Sequence, residues 1–335
     1  MRRNRFTDKE SLLFLIIGIA LFVFPFIYED RSMLILFTQI FIFAIFAMSY
    51  DILLGFTGIV SFGHAMFFGI GAYCVSVMLK HHEPTMLLVT GAISLGVLFS
   101  LIISFVVGLM TLRLKSHYYA MLTLALAGLF LVAAEKWRTL TYGNDGFTFQ
   151  VPEFFHDRLH FYLVCLVLMV IVYFGLKRFI QSPLGRILLA IKDNEQRAES
   201  LGYQVLHYKI IASIVAGGIA SLSGSLYALS LRFVNTSVFT MDITLDALLM
   251  TIIGGVGTLI GPVLGAAIIE LAHHWLTGLA KVHWIFERWL ILFGIVYILA
   301  VMFFPNGIVG SVRKLVSKKE KKEDVSTSEN IVKEG

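Results

Sequence analysis

Between residues 11 and 304 this chain is a succession of apolar runs, each near the length that crosses a bilayer, and that repetition leaves few folds open. A hydrocarbon core of about 30 Å takes about 20 helical residues. Within it every backbone polar group needs an internal partner, so helices are the natural spanning unit for runs of this length. The runs lie near 11–28, 33–54, 59–79, 86–112, 118–134, 161–176 and 208–231, with two further apolar regions at 243–274 and 289–304. Hydrophobic residues make up 58% of the chain and charged ones only 15%, far from soluble-domain usage. The fold class is therefore an all-α polytopic membrane protein. The first run has the basic flank of a signal peptide, but no small-x-small cleavage site follows it, and Phe24–Tyr28 reads as part of a retained span. Phe41, in the second run, is expected to face lipid.

Charge sets the orientation. Arg2, Arg3, Arg5 and Lys9 precede the first span; Arg113 and Lys115 lie in a short loop; Lys177, Arg178 and Arg186 open a longer one; Arg313, Lys314, Lys318, Lys319, Lys321 and Lys322 follow the last. Lys and Arg concentrate on cytoplasmic flanks, which places the N-terminus, Arg113–His117 and 177–207 inside, and 29–32, 80–85 and 135–160 outside. The net charge of +5 follows this edge pattern and is no nucleic-acid signature.

After residue 231 the chain is outside, and one crossing for each remaining apolar region would strand the lysine-rich C-terminus there as well. The region 243–274 resolves the conflict. Its glycines, Gly254, Gly255, Gly257, Gly261 and Gly265, together with Pro262, interrupt a helix. Two short helices that cross and return restore parity, for a bundle of about ten membrane crossings with a discontinuous Gly-rich segment; a single long tilted helix is the rival. Irregular backbone at membrane depth is tolerated only where protein or a water-filled cavity covers it, so the break is expected against the transport path or bundle centre. The organisation is then a basic cytoplasmic N-terminus at 1–10, one membrane domain at 11–310 and a basic cytoplasmic tail at 311–335. Lys318–Gly335 is too polar to offset its ordering entropy and is expected to be disordered.

Enzymatic chemistry finds no foothold. There is no Gly-x-x-x-x-Gly-Lys-[Ser/Thr] phosphate loop, no His-Glu-x-x-His and no nucleophile elbow. Cys74 and Cys165 stand alone in separate runs, and His81-His82 and His273-His274 sit at membrane edges, so no metal or cofactor is expected. A gradient-driven transporter keeps costly ionisable groups deep in its spans; Asp51, Glu135, Asp246 and Glu270 all fall near span ends and are expected at interfaces.

Three features remain. Ser182–Lys209 is a polar island between apolar runs. Asp193 or Asn194 can cap a short helix in it, Gln196 stands where a capping box would place it, and Gly202 supplies a stop. This is either a handle for another protein or a solvated loop. In the third run, Ser61, Ala65, Gly69 and Ala72 form a small-residue stripe with His64 on its flank, suited to close helix packing or to lining a solute path. Candidates for that path are Thr57, Ser61, His64, Gly69, Gly254, Gly255 and Gly257. Tyr142–Phe147 holds the polar turn of Asn144 and Asp145, which is a plain turn or a contact for an external partner.

Taken together, Leu54-Gly-Phe-Thr-Gly-Ile-Val-Ser-Phe-Gly-His-Ala-Met-Phe-Phe-Gly-Ile-Gly-Ala-Tyr73, Leu112-Arg-Leu-Lys-Ser-His-Tyr-Tyr-Ala-Met-Leu-Thr-Leu-Ala125, Gly143-Asn-Asp-Gly146, the polar island, Leu248–Gly265 and Phe303-Phe-Pro-Asn-Gly307 resemble the LivM-type permease subunit of branched-chain amino acid ABC importers, over most of residues 33–310. Two positions depart from the family's pattern: Ile59 where Gln is common, and Asp51 where Asn is common. The resemblance implies a non-catalytic plasma-membrane subunit that translocates Leu, Ile or Val. Its expected partners are a second homologous permease, two ABC ATPase subunits that bind the ATP, and an extracytoplasmic solute-binding protein. The nearest alternative is the same machine for urea or short amides. The resemblance also implies that the loop 177–207 couples to the ATPase. Asn194, Glu195, Arg197, Ala198, Leu201 and Gly202 then form the contact, with Asp193 at its edge, Ala198 and Leu201 as an apolar ridge, and Glu195 and Arg197 fixing register.

Overall fold

The computed structural model describes residues 5–27, 30–113, 116–280, 294 and 307–311. The helices are α1 (Arg5–Ile27), α2 (Arg31–Thr57), α3 (Ala65–His81), α4 (Met86–Thr111), α5 (Ser116–Lys136), the single turn α6 (Arg138–Thr141), α7 (Arg158–Gln181), α8 (Pro183–Asp193), α9 (Glu195–Ser200), α10 (Val205–Leu231), α11 (Met241–Gly254) and α12 (Ile260–Ala280). Five of them, α2, α4, α5, α7 and α10, are long and apolar enough to cross a membrane, and α1, α3 and α12 hold shorter apolar stretches. The protein is a multi-pass helical membrane protein. The expected tenth segment, 289–304, apart from residue 294, and the tail 311–335, apart from residue 311, lie outside the described residues. The helix α1 begins at Arg5, within the basic N-terminal segment 1–10.

Polar residues at the run boundaries set the helix ends. Asp30 accepts from Ser32 N at the start of α2, Thr85 from Leu88 N at α4, and Asp157 from Leu159 N at α7. Gly58 closes α2 in the left-handed conformation (φ 72°), which costs glycine nothing.

The helix α2 is the hub of the bundle. It packs against α7, α10, α11 and α12 and is buried around its whole circumference from Phe41 to Leu53. Phe41, expected to face lipid, is 1% exposed and meets Tyr162 edge-on. A helix that is apolar all round carries no mark of which face lipid will touch. The lipid-type surface belongs instead to α4, α5 and the outer faces of α1 and α7, where Leu98, Phe99, Ile102, Leu129 and Ile171 are exposed.

In the third run the tightest helix contact falls at a glycine outside the expected stripe. Gly71 abuts the Ser221 backbone of α10, and Gly224 of α10 abuts the Phe68 backbone, so neither position has room for a Cβ. Hydroxyls tie α10 to three neighbours: Ser223 Oγ donates to Ile42 O of α2 (2.7 Å), Ser225 Oγ to Gly71 O of α3 (3.1 Å), and Ser100 Oγ of α4 to Gly217 O (2.8 Å). Van der Waals fit and interhelical hydrogen bonds replace the hydrophobic drive that helices in lipid lack.

One end of the bundle carries a small ordered platform. Strands β1 (Phe147–Thr148) and β2 (Phe233–Val234) pair antiparallel, and Arg232, after α10, donates to the carbonyls of Phe155 and His156 before α7. The α8–α9 unit follows the other end of α7 and so lies at the opposite face of the bundle.

Candidate functional site

Two stretches of irregular backbone enter the bundle. The first is 58–64. The third apolar run was expected to be helical from residue 59, but α3 starts only at Ala65, and the preceding segment is an open loop. Its amides and the first amide of α3 find side-chain partners on two other helices or locally: Phe62 N donates to Thr123 Oγ1 of α5 (3.3 Å), Gly63 N to Ser61 Oγ (3.3 Å) and Ala65 N to Thr244 Oγ1 of α11 (2.8 Å). Such donors must be met where water is absent. Gly63 lies so close to Thr123 O that a Cβ would stand 2.3 Å from it.

His64 closes this segment. It is fully buried, its Nε2 lies 2.8 Å from Ser49 Oγ, and the rings of Phe46, Tyr50 and Phe67 surround it. Its Nδ1 and the hydroxyl of Tyr50 have no hydrogen-bond partner among the described residues. Of the predicted path residues, His64 lies in this buried cluster, and Ser61 is buried in the same loop with its Oγ accepting from Gly63 N. Gly69 does not belong to the cluster; it packs on the ring of Phe239, which also stacks on Tyr73.

The second irregular stretch is the break between α11 and α12. Gly255 (φ 129°), Gly257 (φ 76°) and Leu259 (φ 55°) all have positive φ, so the expected interruption lies at 255–259. The two helices double back on each other: a Cβ on Gly254 would lie 1.8 Å from Gly261 O, and one on Gly265 would lie 1.8 Å from Met250 O. Gly254, Gly255 and Gly257 therefore form a backbone joint. Asp51 holds it. Expected at an interface, its carboxylate is fully buried, accepting from Gly257 N (2.7 Å) and Leu259 N (3.4 Å). Asp51 is thereby occupied by backbone, and Ile59 packs with Leu112, Tyr119 and Ile210, so the family departures at these two positions have structural explanations.

At the face opposite the platform the polar island forms two helices where one was expected. Ser182 caps α8 through Gly185 N, with Pro183 in its first turn. Asn194 caps α9 by accepting from Arg197 N (2.9 Å). Asp193 is the last helical residue of α8, so it is not the cap, and Gln196 is one position early for a capping box. Gly202 turns the chain at φ 87° with open space around it. The expected ridge is split: Ala198 is buried with Ile191 and Val205, whereas Leu201 is 71% exposed beside Tyr203. Glu195 is held by Lys209 (2.6 Å), and Arg197 is exposed. Between α8–α9 and the end of α2 lies a cavity of about 520 Å³ lined by Thr57, Gly58, Tyr119, Lys192 and Glu195 among others. Thr57 thus borders this cavity, at the end of α2.

On the platform, Asn144 and Asp145 are exposed in a 3-10 turn, and Thr236 Oγ1 donates to Asn144 Oδ1 (2.5 Å). Among the described residues, no group of His, Cys, Asp and Glu is placed to hold a metal ion.

Residues 32–301 match the family model of the permease component of branched-chain amino acid transport systems. This chain belongs to that family. The permease is 25% identical to the high-affinity branched-chain amino acid transport system permease protein LivM of Salmonella typhimurium, over 92% of this chain and 76% of the relative. The Escherichia coli protein of the same name is 24% identical over the same shares. A probable LivM permease of Methanocaldococcus jannaschii is 23% identical over 80% of this chain and 90% of the relative. No solved structure matches the permease. Sequence reasoning missed Tyr50, Thr123, Thr244 and Lys192 as parts of the site. Only Asp51 carried a signal, a carboxylate inside an apolar run.

Proposed function

We propose that the permease is the membrane subunit of an ATP-binding-cassette importer that carries Leu, Ile or Val inward across the plasma membrane. Two partner ATPase subunits would bind and hydrolyse the ATP, a second homologous permease would complete the path, and an extracytoplasmic solute-binding protein would deliver solute to the platform around Asn144 and Asp145. Both termini and the α8–α9 unit would be cytoplasmic, as the basic flanks require. In this reading the catalytic and nucleotide-binding residues would belong to the partner ATPases.

The observation that carries this reading is the α8–α9 unit. A membrane bundle has no packing need for a two-helix foot whose exposed tip is Leu201 and Tyr203. Anchored by Leu188, Ile191 and the Lys209–Glu195 pair, it presents that tip with Arg197 as a charged edge. A partner cleft would bury the apolar tip, and the charge would set its register. The buried Tyr50 hydroxyl and His64 Nδ1, which have no hydrogen-bond partner among the described residues, would offer polar contacts along a solute path.

The test is reconstitution of the permease with candidate ATPases, second permease and solute-binding protein from the same genome. ATP-dependent uptake of labelled leucine, suppressed by unlabelled isoleucine and valine but not by urea or acetamide, is the expected outcome. Competition by urea alone would move the machine to the amide class, and uptake driven by an ion gradient without ATP would overturn the reading.

A further inference from the structure

One polar joint ties the α8–α9 foot to the broken helix, and it passes through α2. At the foot, Lys192 in the last turn of α8 donates from Nζ to Gly55 O (2.6 Å). Gly55 lies one helical turn beyond Asp51 on α2, and Asp51 receives Gly257 N and Leu259 N from the break. There is no slack between these parts. A Cβ at Gly55 would stand 2.5 Å from Gly257 N, one at Gly257 would stand 3.0 Å from Gly55 O, and one at Gly307 would stand 2.3 Å from the Gly255 Cα.

We infer that Asp51 and Lys192 are positioning residues of a rigid transmission joint: they make α8, the end of α2 and the 255–259 break move as one body, so that displacement of the foot changes the geometry of the broken helix. This rests on the proposed ATP-driven reading. The chemistry favours rigidity over a latch that opens. Releasing the break from Asp51 would leave a fully buried carboxylate and two backbone amides without their partners, a costly arrangement. The Lys192 contact also satisfies a carbonyl in the last turn of α2, which has no partner within its own helix, and sets a cation at the negative end of that helix. The glycine contacts contribute shape: backbone meets backbone at Gly55 and Gly257 with no side chain to yield between them. Asp51 serves better than an apolar residue because each oxygen faces a separate amide. An amide side chain keeps the oxygen that takes the shorter bond, to Gly257.

The experiment measures solute moved per ATP hydrolysed in the complete reconstituted importer. Lys192→Met and Asp51→Leu are expected to keep ATPase activity and lower that ratio at least fivefold, while Asp51→Asn retains most of it. A merely structural role would lower assembled complex, ATPase activity and uptake together and leave the ratio unchanged. Lys192 lies on an exposed helix end, so its variant remains informative if Asp51→Leu does not assemble. A second arm replaces the bond covalently. A Cβ at Gly58 would lie 3.9 Å from the Lys192 Cβ, within disulfide range. In a chain with Cys74→Ala and Cys165→Ala, the Gly58→Cys/Lys192→Cys pair is expected to be uncoupled when reduced and recoupled when oxidised. An unchanged ratio in Lys192→Met, or an oxidised pair no better coupled than the reduced one, overturns the joint. A wild-type complex that transports without ATP overturns the importer reading instead, and the two failures are told apart by the wild-type control.

Discussion

Replacing Gly254 by alanine adds one methyl group where α11 and α12 turn back on each other, and the structure sets the size of the effect. The new Cβ would lie 1.8 Å from Gly261 O and 2.3 Å from Gly261 C, with backbone on both sides of the contact. A carbon resting against a carbonyl oxygen needs about 3.3–3.6 Å, so the two helices must separate by roughly 1.5 Å. No rotamer change relieves this. Overpacking of this kind typically costs about 1–3 kcal/mol, and a gap of about 1 Å around neighbouring atoms forfeits up to half of their dispersion attraction. Two transporter states differ by only a few kcal/mol, so the substitution shifts their ratio by roughly 5- to 150-fold without unfolding the bundle. Gly128 and Gly175 provide the controls, being helical glycines with nothing within 4 Å of a Cβ. Alanine there is expected to be neutral or to stabilise by about 0.5–1 kcal/mol. The assay is ATP-driven uptake and ATPase rate in reconstituted vesicles at matched protein levels. Gly254→Ala is expected to lower uptake at least tenfold, with Gly128→Ala and Gly175→Ala at wild-type rate. Wild-type transport by Gly254→Ala would refute the reasoning, because the helices would then have room to part or no need to stay together.

Three further outcomes are expected. Gly202→Pro, which cannot adopt φ 87°, and Leu201→Glu, which charges the exposed tip of α9, should each abolish ATP-coupled uptake while the protein still accumulates in the membrane; uptake at wild-type rate by either would remove α9 from the coupling role. Thr244→Val leaves Ala65 N unpaired in the interior and should cost about 1–3 kcal/mol, read as a lowered unfolding temperature in detergent that Thr244→Ser restores. Cysteines introduced near Asn4 and Ser328 should resist an impermeant thiol reagent in intact cells and react after lysis; labelling of the C-terminal site from outside would contradict ten crossings.

Hydropathy and local chemistry determined a good deal by themselves. Span length fixed the helical membrane architecture, because lipid accepts few other solutions. The glycines and Pro262 marked the break between α11 and α12, since a helix interior cannot absorb that density of breakers. Asn194 and Gly202 marked the ends of α9 through backbone rules that act locally.

Only tertiary structure decided the rest. The loop at 58–64 looks like helix in sequence, because Ile59, Val60 and Phe62 are as apolar as any span. It stays open because Thr123 and Thr244, on helices distant in sequence, meet its amides. Phe41 turned inward because lipid and protein core are equally apolar, so residue type does not say which of the two a side chain will touch, and Ala198 is buried against Ile191 of α8 and Val205 of α10, neighbours that the α8–α9 turn supplies. Asp51 is the clearest case. Its position near a span end suggested an interface, yet a break more than two hundred residues away brings it two backbone donors. A carboxylate is kept in a dry interior only by partners of that kind, and partners that arrive from another part of the chain leave no trace beside it in the sequence.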